Sequence, residues 1–185
     1  LFAEEMTNLL ATRLHNQSQC TTHSAALPGG DAICDPTKLA KQLSIDVVSA
    51  RRLIYRHGSR AERIAEMALQ SPRGRLSVCQ CEAVSEAEIR YVAEHEFVRT
   101  VEDLGRRLRL GFGPCGGMNC VLHASRILAD VVGLSPDQAR QQSYDFMQRL
   151  FRNRIVGLSP VQARQESLAL AALRSQLGIK QGHAQ

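Results

Sequence analysis

The sequence predicts a mainly α-helical protein, and three observations lead to this fold class. Hydrophobic residues make up 44% of the 185-residue chain, whereas aromatic residues make up only 4% and tryptophan is absent. A core of Leu, Ile, Val and Ala follows from this composition and suits helices. Apolar residues also recur at helical spacing after capping signals such as Asp-Pro and Ser-Pro. We therefore expect a small helical bundle, a second helical domain that contains clustered cysteines, and a C-terminal helical pair.

The first part of the chain, residues 1–34, predicts one helix followed by a loop. The helix covers residues 1–15, and its apolar side chains fall on one face: Phe2, Met6, Leu9, Leu10 and Leu14. This face is expected to pack either on a part of a longer protein or on the rest of this chain. The polar stretch that follows contains Pro28-Gly29-Gly30-Asp31, which is typical of a linker or surface loop. Cys20 and Cys34 lie in this stretch and are interpreted as unpaired thiols.

Three short helices are predicted between residues 35 and 74, where they would form a small bundle. Asp35 is an N-cap that precedes a first-turn proline. The second helix, residues 47–56, is expected to end at Gly58 in the C′ position. Ser59–Glu62 has the pattern of a capping box and predicts the start of the third helix.

Residues 75–132 are predicted to contain two cysteine motifs separated by helices. A short extended segment should deliver the first motif, and capping signals at Ser85 and Thr100 predict two helices after it. Their inward-facing residues are expected to be Ile89, Val92, Ala93, Val101, Leu104 and Leu108. Glycine occupies four of the seven positions from Gly111 to Gly117, which favours a loop that closes tightly around a ligand. A further helix is predicted to begin at Asn119 or Cys120.

Four of the six cysteines form a Cys-x-Cys motif and a Cys-x4-Cys motif: Cys79, Cys81, Cys115 and Cys120. Thiolates are soft ligands, and four that converge favour zinc or an iron–sulfur cluster. The spacing leaves both metals open, because zinc sites commonly have gaps of two to four residues and [2Fe–2S] sites accept a Cys-x4-Cys gap. A disulfide between the first two cysteines would be strained. Four buried thiols that act as small hydrophobes are the remaining alternative.

Positive charge near these motifs would favour an anionic centre. The N-terminus of a helix that begins near Cys120 offers free N–H groups and the positive end of the helix dipole. Arg106, Arg107 and Arg109 precede the glycine loop. They either add positive charge beside the centre, which would raise its reduction potential, or form an ordinary solvated helix end.

The C-terminal extension, residues 133–185, contains an internal repeat. Gly-Leu-Ser-Pro-x-Gln-Ala-Arg begins at Gly133 and again at Gly157, and each Ser-Pro predicts a helix start. Two similar helices in an antiparallel pair are therefore expected. Their hydrophobic seam is predicted to consist of Tyr144, Phe146, Met147, Leu150 and Phe151. The last residues, Gln181–Gln185, are expected to be frayed.

The cysteine region resembles a known family. Cys79-x-Cys81-Glu82, Ser85-Glu86-x-Glu88-Ile89 and Arg107-x-Arg109-x-Gly111-x-Gly113-Pro114-Cys115-x-Gly117-x-x-Cys120 match the bacterioferritin-associated-ferredoxin-type [2Fe–2S] domain. The resemblance covers about a quarter of the chain, from Val78 to Ile127. It implies that Cys79, Cys81, Cys115 and Cys120 bind a [2Fe–2S] cluster, and it favours iron–sulfur over zinc.

The preceding region has a resemblance of its own. Cys20-Thr21-Thr22, Leu27-Pro28-Gly29-Gly30-Asp31 and Leu53-Ile54-Tyr55-Arg56-His57-Gly58-Ser59 resemble the C-terminal helical region of FAD-dependent glycerol-3-phosphate dehydrogenases. Glu4-Glu5-Met6 is similar to the last helix of that family's flavin domain, so residues 1–34 would be the end of this helix and a linker. The order of the modules resembles the large subunit of anaerobic glycerol-3-phosphate dehydrogenases.

These resemblances imply a function and a set of partners. FAD would occupy a preceding domain of the parent chain and oxidise sn-glycerol 3-phosphate to dihydroxyacetone phosphate. The [2Fe–2S] cluster would relay electrons to other dehydrogenase subunits and on to quinone. The partners are therefore the flavin domain and these subunits, with membrane contact only through a partner. The expected location is cytoplasmic or peripheral at the inner face of the cell membrane.

Charge and motifs narrow the remaining function classes. The net charge of +5 permits nucleic-acid contacts but does not demand them, and no nucleic-acid partner is expected. The sequence shows no P-loop, dinucleotide fingerprint or nucleophile triad. It begins at Leu1 rather than Met, so we expect a part of a longer protein that does not catalyse a reaction alone. Two alternatives stay open: a cysteine-ligated zinc or iron module for structure, sensing or DNA contact, and a vestigial or regulatory cluster with a docking surface.

Overall fold

Helices dominate the fold, as the sequence predicts. The computed structural model describes residues 2–18 and 20–179, so Leu1 and the segment Gln181–Gln185, predicted to fray, lie outside the described residues. The helices are α1 (Phe2–Arg13), α2 (Pro36–Leu43), α3 (Val47–His57), α4 (Arg60–Gln70), α5 (Glu86–His95), α6 (Val101–Leu108), α7 (Val121–Val132), α8 (Pro136–Arg154) and α9 (Pro160–Gln176). The strands are β1 (Ser77–Cys79) and β2 (Val84–Ser85).

Local capping signals fix the ends of α2 and α3. The side chain of Asp35 accepts a hydrogen bond from the backbone N–H of Thr37. Gly58 caps the C-terminus of α3, as its sequence position predicts. The predicted capping box at Ser59 is wrong, because this side chain makes no capping bond to α4. Its hydroxyl instead donates to Asp31 Oδ1 at 2.5 Å, so a distant carboxylate takes the place of the local backbone partner.

The loop before α2 packs on the turn between α3 and α4. Gly29 O accepts a 2.9 Å hydrogen bond from the backbone N–H of Ser59. A Cβ atom on Gly58 would overlap Gly29 O, and one on Gly29 would overlap the carbonyl oxygen of His57. Only glycine permits this close backbone approach at both positions. The two stretches that resemble the dehydrogenase family therefore meet in space.

A short hairpin delivers the first cysteine motif. Strands β1 and β2 pair antiparallel, with Ser77 opposite Ser85 and Cys79 opposite Val84. A register shift between Ser77 and Cys79 marks an irregularity in the ladder. The predicted extended segment is confirmed, and Cys81 lies in the turn that joins the two strands.

One continuous hydrophobic core joins the helices from α2 to α9. Its fully buried side chains include Ile64 of α4, Ile89 of α5, Leu104 of α6 and Leu128 of α7. The inward positions predicted for α5 and α6 are confirmed, since Ile89, Val92, Ala93, Val101, Leu104 and Leu108 are all buried. Residues from several of the predicted domains contribute to this core. The division of the chain into domains at residues 34, 74 and 132 stays a prediction.

Helices α8 and α9 begin as their repeated sequence predicts. Ser135 and Ser159 each accept a hydrogen bond from the backbone of the glutamine three residues later, and each capping box is complete. The predicted seam between the two helices is only partly right. Phe146 lies against Gly105 and Gly111, so much of this apolar face packs on α6 and the glycine loop. Among the described residues of α9, only Leu173 is buried.

Helix α1 stands apart from the core. None of its residues is buried, and its apolar face is exposed: Phe2, Met6, Leu9 and Leu10 within the helix and Leu14 just after it. Of the two alternatives expected for this face, packing on the rest of this chain is therefore wrong for the described residues. None of the helices within residues 2–18 and 20–179 combines the length and apolar character that crossing a bilayer requires.

Candidate metal centre

The hairpin turn and the glycine loop bring the two cysteine motifs side by side. Cys81 Sγ lies 3.7 Å from Cys115 Sγ. The thiols of Cys79 and Cys120 lie close enough for each to shift the pKa of the other. Each pair thus joins one cysteine of the first motif to one of the second. All four are free thiols, and the positions that the sequence predicts as ligands lie in one region of the molecule.

This region has a buried end and an accessible end. Cys79 and Cys120 are 2% and 1% exposed, whereas Cys81 and Cys115 are half-buried. The inner pair is enclosed by the core to which both residues belong. A group held by all four thiols would therefore be shielded on one side and accessible on the other.

Glycines allow the two motifs to approach. A Cβ atom on Gly113 would overlap the Cβ of Cys81 and would lie 2.9 Å from its Sγ. Gly116 and Gly117, which follow Cys115, have φ angles of 58° and 90°. Side-chain-bearing residues rarely adopt these angles, so glycine is required for the turn as well as for space. The glycine-rich stretch thus forms a tight loop that lies against the first cysteine motif.

The two buried thiols, Cys79 and Cys120, shift each other's pKa in opposite directions. A hydrogen bond from the thiol of Cys120 to the sulfur of Cys79 lowers the pKa of Cys79 to about 6. The same interaction, with burial, raises the pKa of Cys120 above its ordinary value. The fold therefore stabilises one thiolate at neutral pH, and thiolate is the form that binds metals.

Hydrogen bonds from backbone amides also stabilise the thiolate form of these cysteines. Burial alone would raise the pKa of Cys115, but hydrogen bonds from the amides of Asn119 and Gly117 lower it below the ordinary thiol value. The amides of Glu82 and Cys81 likewise lower the pKa of Cys79. Amide donors that point at sulfur are commonly found around thiolate-bound metals.

The helix after the second motif begins where the sequence predicts. Cys120 is the N-cap of α7 and makes no capping bond through its side chain. Its sulfur lies 3.8 Å from Gly117 O and remains within the thiol cluster. The positive end of the α7 dipole consequently lies at the cysteine site.

Each of the three arginines that the sequence singles out is paired with a carboxylate. Arg106 pairs with Glu102 at 2.6 Å, and Arg107 pairs with Glu96 at 3.4 Å. Arg109 lies 3.4 Å from Glu82, the residue after Cys81. All three side chains are more than half exposed. Of the three, Arg109 is paired with a residue next to a motif cysteine, and this carboxylate offsets its charge.

Helix α3 supplies arginines that sequence reasoning missed. Arg52 donates to the carbonyl oxygen of Cys81. Arg56 donates to the carbonyl oxygens of Glu82 and Ala83 at 3.0 and 3.4 Å. The helical bundle thus holds the turn of the cysteine hairpin through two guanidinium groups. No spacing signal in the sequence joins α3 to this turn, although Arg56 is part of the stretch that resembles the dehydrogenase family.

A buried ion-pair network anchors Arg56. Its Nε lies 2.6 Å from Glu88 Oε1, and its Nη2 lies 3.1 Å from Glu88 Oε2, which is a bidentate pair. His57 Nε2 lies 2.8 Å from the same carboxylate. The side chains of Arg56 and Glu88 are 4% and 1% exposed. This pairing satisfies two buried charges and fixes α3 against α5.

The chemistry of the donor set fits a metal with soft ligands. Two thiolates on one tetrahedral metal lie about 3.8 Å apart when each metal–sulfur bond is about 2.3 Å. The 3.7 Å separation of Cys81 Sγ and Cys115 Sγ agrees with this value. Within the part of the chain that the structure describes, no group of three or more His, Cys, Asp or Glu side chains forms a ready metal site. The observed unit is therefore two adjacent thiol pairs, and these four thiols are the residues that could hold a metal.

Comparison with known proteins agrees with the resemblance to glycerol-3-phosphate dehydrogenases. A family described as the C-terminal domain of alpha-glycerophosphate oxidase matches residues 20–139. A Haemophilus influenzae protein, named as one of the subunits of an anaerobic glycerol-3-phosphate dehydrogenase, is 33% identical over 152 residues, which are 82% of this chain and 26% of that protein. The Escherichia coli K12 protein of the same name is 33% identical over 153 residues, 82% of this chain and 27% of its own length. No solved structure matches.

The matches cover different shares of this chain and of its relatives. The chain spans about a quarter of the length of the curated relatives it matches. The family match, in contrast, covers more than half of this chain, from the loop before α2 to the first turn of α8, and includes both cysteine motifs. The chain therefore belongs to the family of the C-terminal domain of alpha-glycerophosphate oxidase.

Proposed function

We propose that this chain is the iron–sulfur electron-transfer part of a flavin-dependent glycerol-3-phosphate dehydrogenase. The observation that supports it most directly is the pairing of Cys79 with Cys120 and of Cys81 with Cys115 across the two motifs. A [2Fe–2S] cluster is held by four cysteine thiolates, and these two pairs supply four thiols from two segments of the chain. The relatives named as subunits of an anaerobic glycerol-3-phosphate dehydrogenase support the parent activity.

The roles of the chain's own residues follow from their environments. When bound, a [2Fe–2S] cluster would accept and release one electron at a time. Cys79 and Cys120 would hold its buried side, where protein excludes water. Cys81 and Cys115 would hold its accessible side, where an electron-transfer partner can approach. The amides at Asn119 and Gly117 would stabilise negative charge on sulfur.

The proposed parent enzyme supplies the electrons and removes them. FAD in a preceding domain would oxidise sn-glycerol 3-phosphate to dihydroxyacetone phosphate. The electrons would pass through this chain to other dehydrogenase subunits and then to quinone. Contact with the inner face of the cell membrane would come only through those subunits, and the chain itself would be cytoplasmic.

Metal and sulfide analysis of anaerobically purified protein tests this proposal. We expect about two iron atoms and about two acid-labile sulfides per chain, with visible absorption that bleaches on dithionite. Cys115→Ser and Cys79→Ser should each lose most of the iron, whereas Cys20→Ser, outside both motifs, should retain it. A chain that stays colourless after reconstitution with iron and sulfide would contradict the proposal.

A substitution at Gly113 tests whether iron binding requires the two cysteine motifs to lie close together. Gly113→Ala should reduce iron content, because the added methyl group would overlap Cys81 and push it away from Cys115. Gly157→Ala is the matched control, since a Cβ there meets nothing within 4 Å and its backbone has no positive φ. Equal iron content in both variants would show that the approach of the motifs does not matter for binding.

A cysteine-ligated zinc or iron module is the second candidate. Four thiols without another ligand also suit a structural zinc site, and the lowered pKa of Cys79 would favour zinc binding as well. One zinc per chain without acid-labile sulfide would support this function. A salt-dependent shift of DNA mobility would support its DNA-contact version.

A further inference from the structure

The C-terminal extension places a guanidinium group on the second cysteine motif. Arg154 is the last residue of α8. A Cβ atom on Gly116 would overlap Arg154 Nη1 and would lie 2.7 Å from its Cζ. Gly116 directly follows Cys115 in the glycine loop. Sequence reasoning missed this contact, because 38 positions (154 − 116) separate the two residues.

A carboxylate on the next helix holds this guanidinium. Arg154 Nη2 forms an ion pair with Glu166 of α9. The two side chains are 32% and 37% exposed, so water screens the pair only in part. Arg154 Nε is buried and has no hydrogen-bond partner among the described residues. The position of the guanidinium is therefore set by α8, by α9 and by the absence of a side chain at Gly116.

We propose that Arg154 and Glu166 set the electron affinity of the cysteine centre with opposite signs, an inference that rests on the function proposed above. A cluster held by four thiolates becomes more negative by one charge when it accepts one electron, which the reduced flavin of the parent enzyme would supply. A guanidinium against the loop favours the more negative state. Glu166 is paired with Arg154, and its negative charge offsets part of this effect.

A redox titration of the reconstituted 185-residue chain tests the inference. Arg154→Gln should shift the midpoint potential to more negative values, because it removes the cation and leaves the carboxylate. Glu166→Gln should shift it to more positive values, because the cation loses its counter-charge. Arg154→Lys should retain most of the wild-type potential, because it keeps the positive charge. The potential can be followed by visible absorption without any measurement of enzyme activity.

A matched control separates the local effect from a general change in charge. Arg152→Gln removes the same charge from the same helix, but the Arg152 guanidinium binds Gln148 and is exposed. Its midpoint potential should match the wild type. A purely structural role of the Arg154–Glu166 pair would shift both variants in the same direction, and that result, or no shift in either, would overturn the inference. Failure of the wild-type chain to bind any cluster would instead overturn the proposed function and the inference with it.

Discussion

At the scale of single residues, Cys79 and Cys120 show how the fold prepares a thiolate. Spacing identifies both as ligand candidates, but it does not indicate which thiol partners which. The hydrogen bond across the two motifs makes Cys79 more acidic and Cys120 less acidic. Such a difference arises from a contact between residues far apart in sequence, and no local pattern encodes it.

The first prediction concerns the pH at which this thiolate forms. In the metal-free chain, the ultraviolet absorbance of one thiolate should appear with a midpoint near pH 6, since the pKa of Cys79 is lowered from 9.0 to about 6. Cys120→Ala should move this midpoint upward, because it removes the donor. Cys20→Ala is the control and should leave it unchanged. Absorbance that rises only above about pH 8 in the wild type would contradict the assignment.

The lowered pKa of Cys79 also makes the free energy of unfolding depend on pH. The folded pKa of Cys79 lies below its ordinary 9.0, so its thiolate stabilises the folded state above pH 9.0 and loses this contribution as pH falls through about 6. The free energy of unfolding of the metal-free chain should therefore rise between about pH 6 and pH 9. The raised pKa of Cys120 reverses the trend at higher pH, because its unfolded form ionises first. Urea unfolding at a series of pH values measures both effects.

At the scale of elements, helix α3 links the helical bundle to the cysteine hairpin. Arg56 contacts the hairpin turn and, through Glu88, helix α5. Removing one partner of a buried ion pair leaves the other charge unpaired in a poorly solvated place. The integrity of the cysteine site therefore depends on a side chain from a different part of the chain.

The second prediction tests this link. Arg56→Met should lower the free energy of unfolding by about 3–5 kcal/mol, the usual cost of breaking a buried pair on one side. Arg106→Met is the control, because its exposed pair with Glu102 should contribute about 0–1 kcal/mol. Urea unfolding of the metal-free proteins measures both values. Equal effects of the two changes would show that the Arg56 network does not stabilise the fold.

The element scale also shows which features a sequence encodes locally. The caps at Asp35, Ser85, Thr100, Ser135 and Ser159 are confirmed because each side chain bonds a backbone group two or three residues away. The capping box predicted at Ser59 is wrong because Asp31, 28 residues earlier, competes for its hydroxyl. The contact between Arg56 and Glu88 spans 32 residues and has no local signature. Local chemistry therefore predicts the helices, whereas long-range contacts decide how they support the site.

At the scale of the whole molecule, the exposed apolar face of α1 contrasts with the continuous core of α2 to α9. The third prediction follows from this contrast. Removing residues 2–15 should leave the midpoint of thermal unfolding nearly unchanged, since the described residues of this segment bury no side chain. Leu128→Ala, at a fully buried position, should lower the free energy of unfolding by about 2–5 kcal/mol. A large loss of stability on removal of α1 would show that this helix packs on the core.

A group bound by the cysteine pairs would also link two distant parts of the chain. Cys81 and Cys115 lie 34 positions apart, and α5 and α6 occupy the chain between them. An inorganic centre shared by the thiols would close this stretch into a ring, much as a disulfide does. By the chain-entropy argument, a ring of this size restricts the unfolded chain by about 4 kcal/mol. Oxidative loss of the centre would then open the ring, so one chemical event would both remove the proposed redox centre and make the chain easier to unfold.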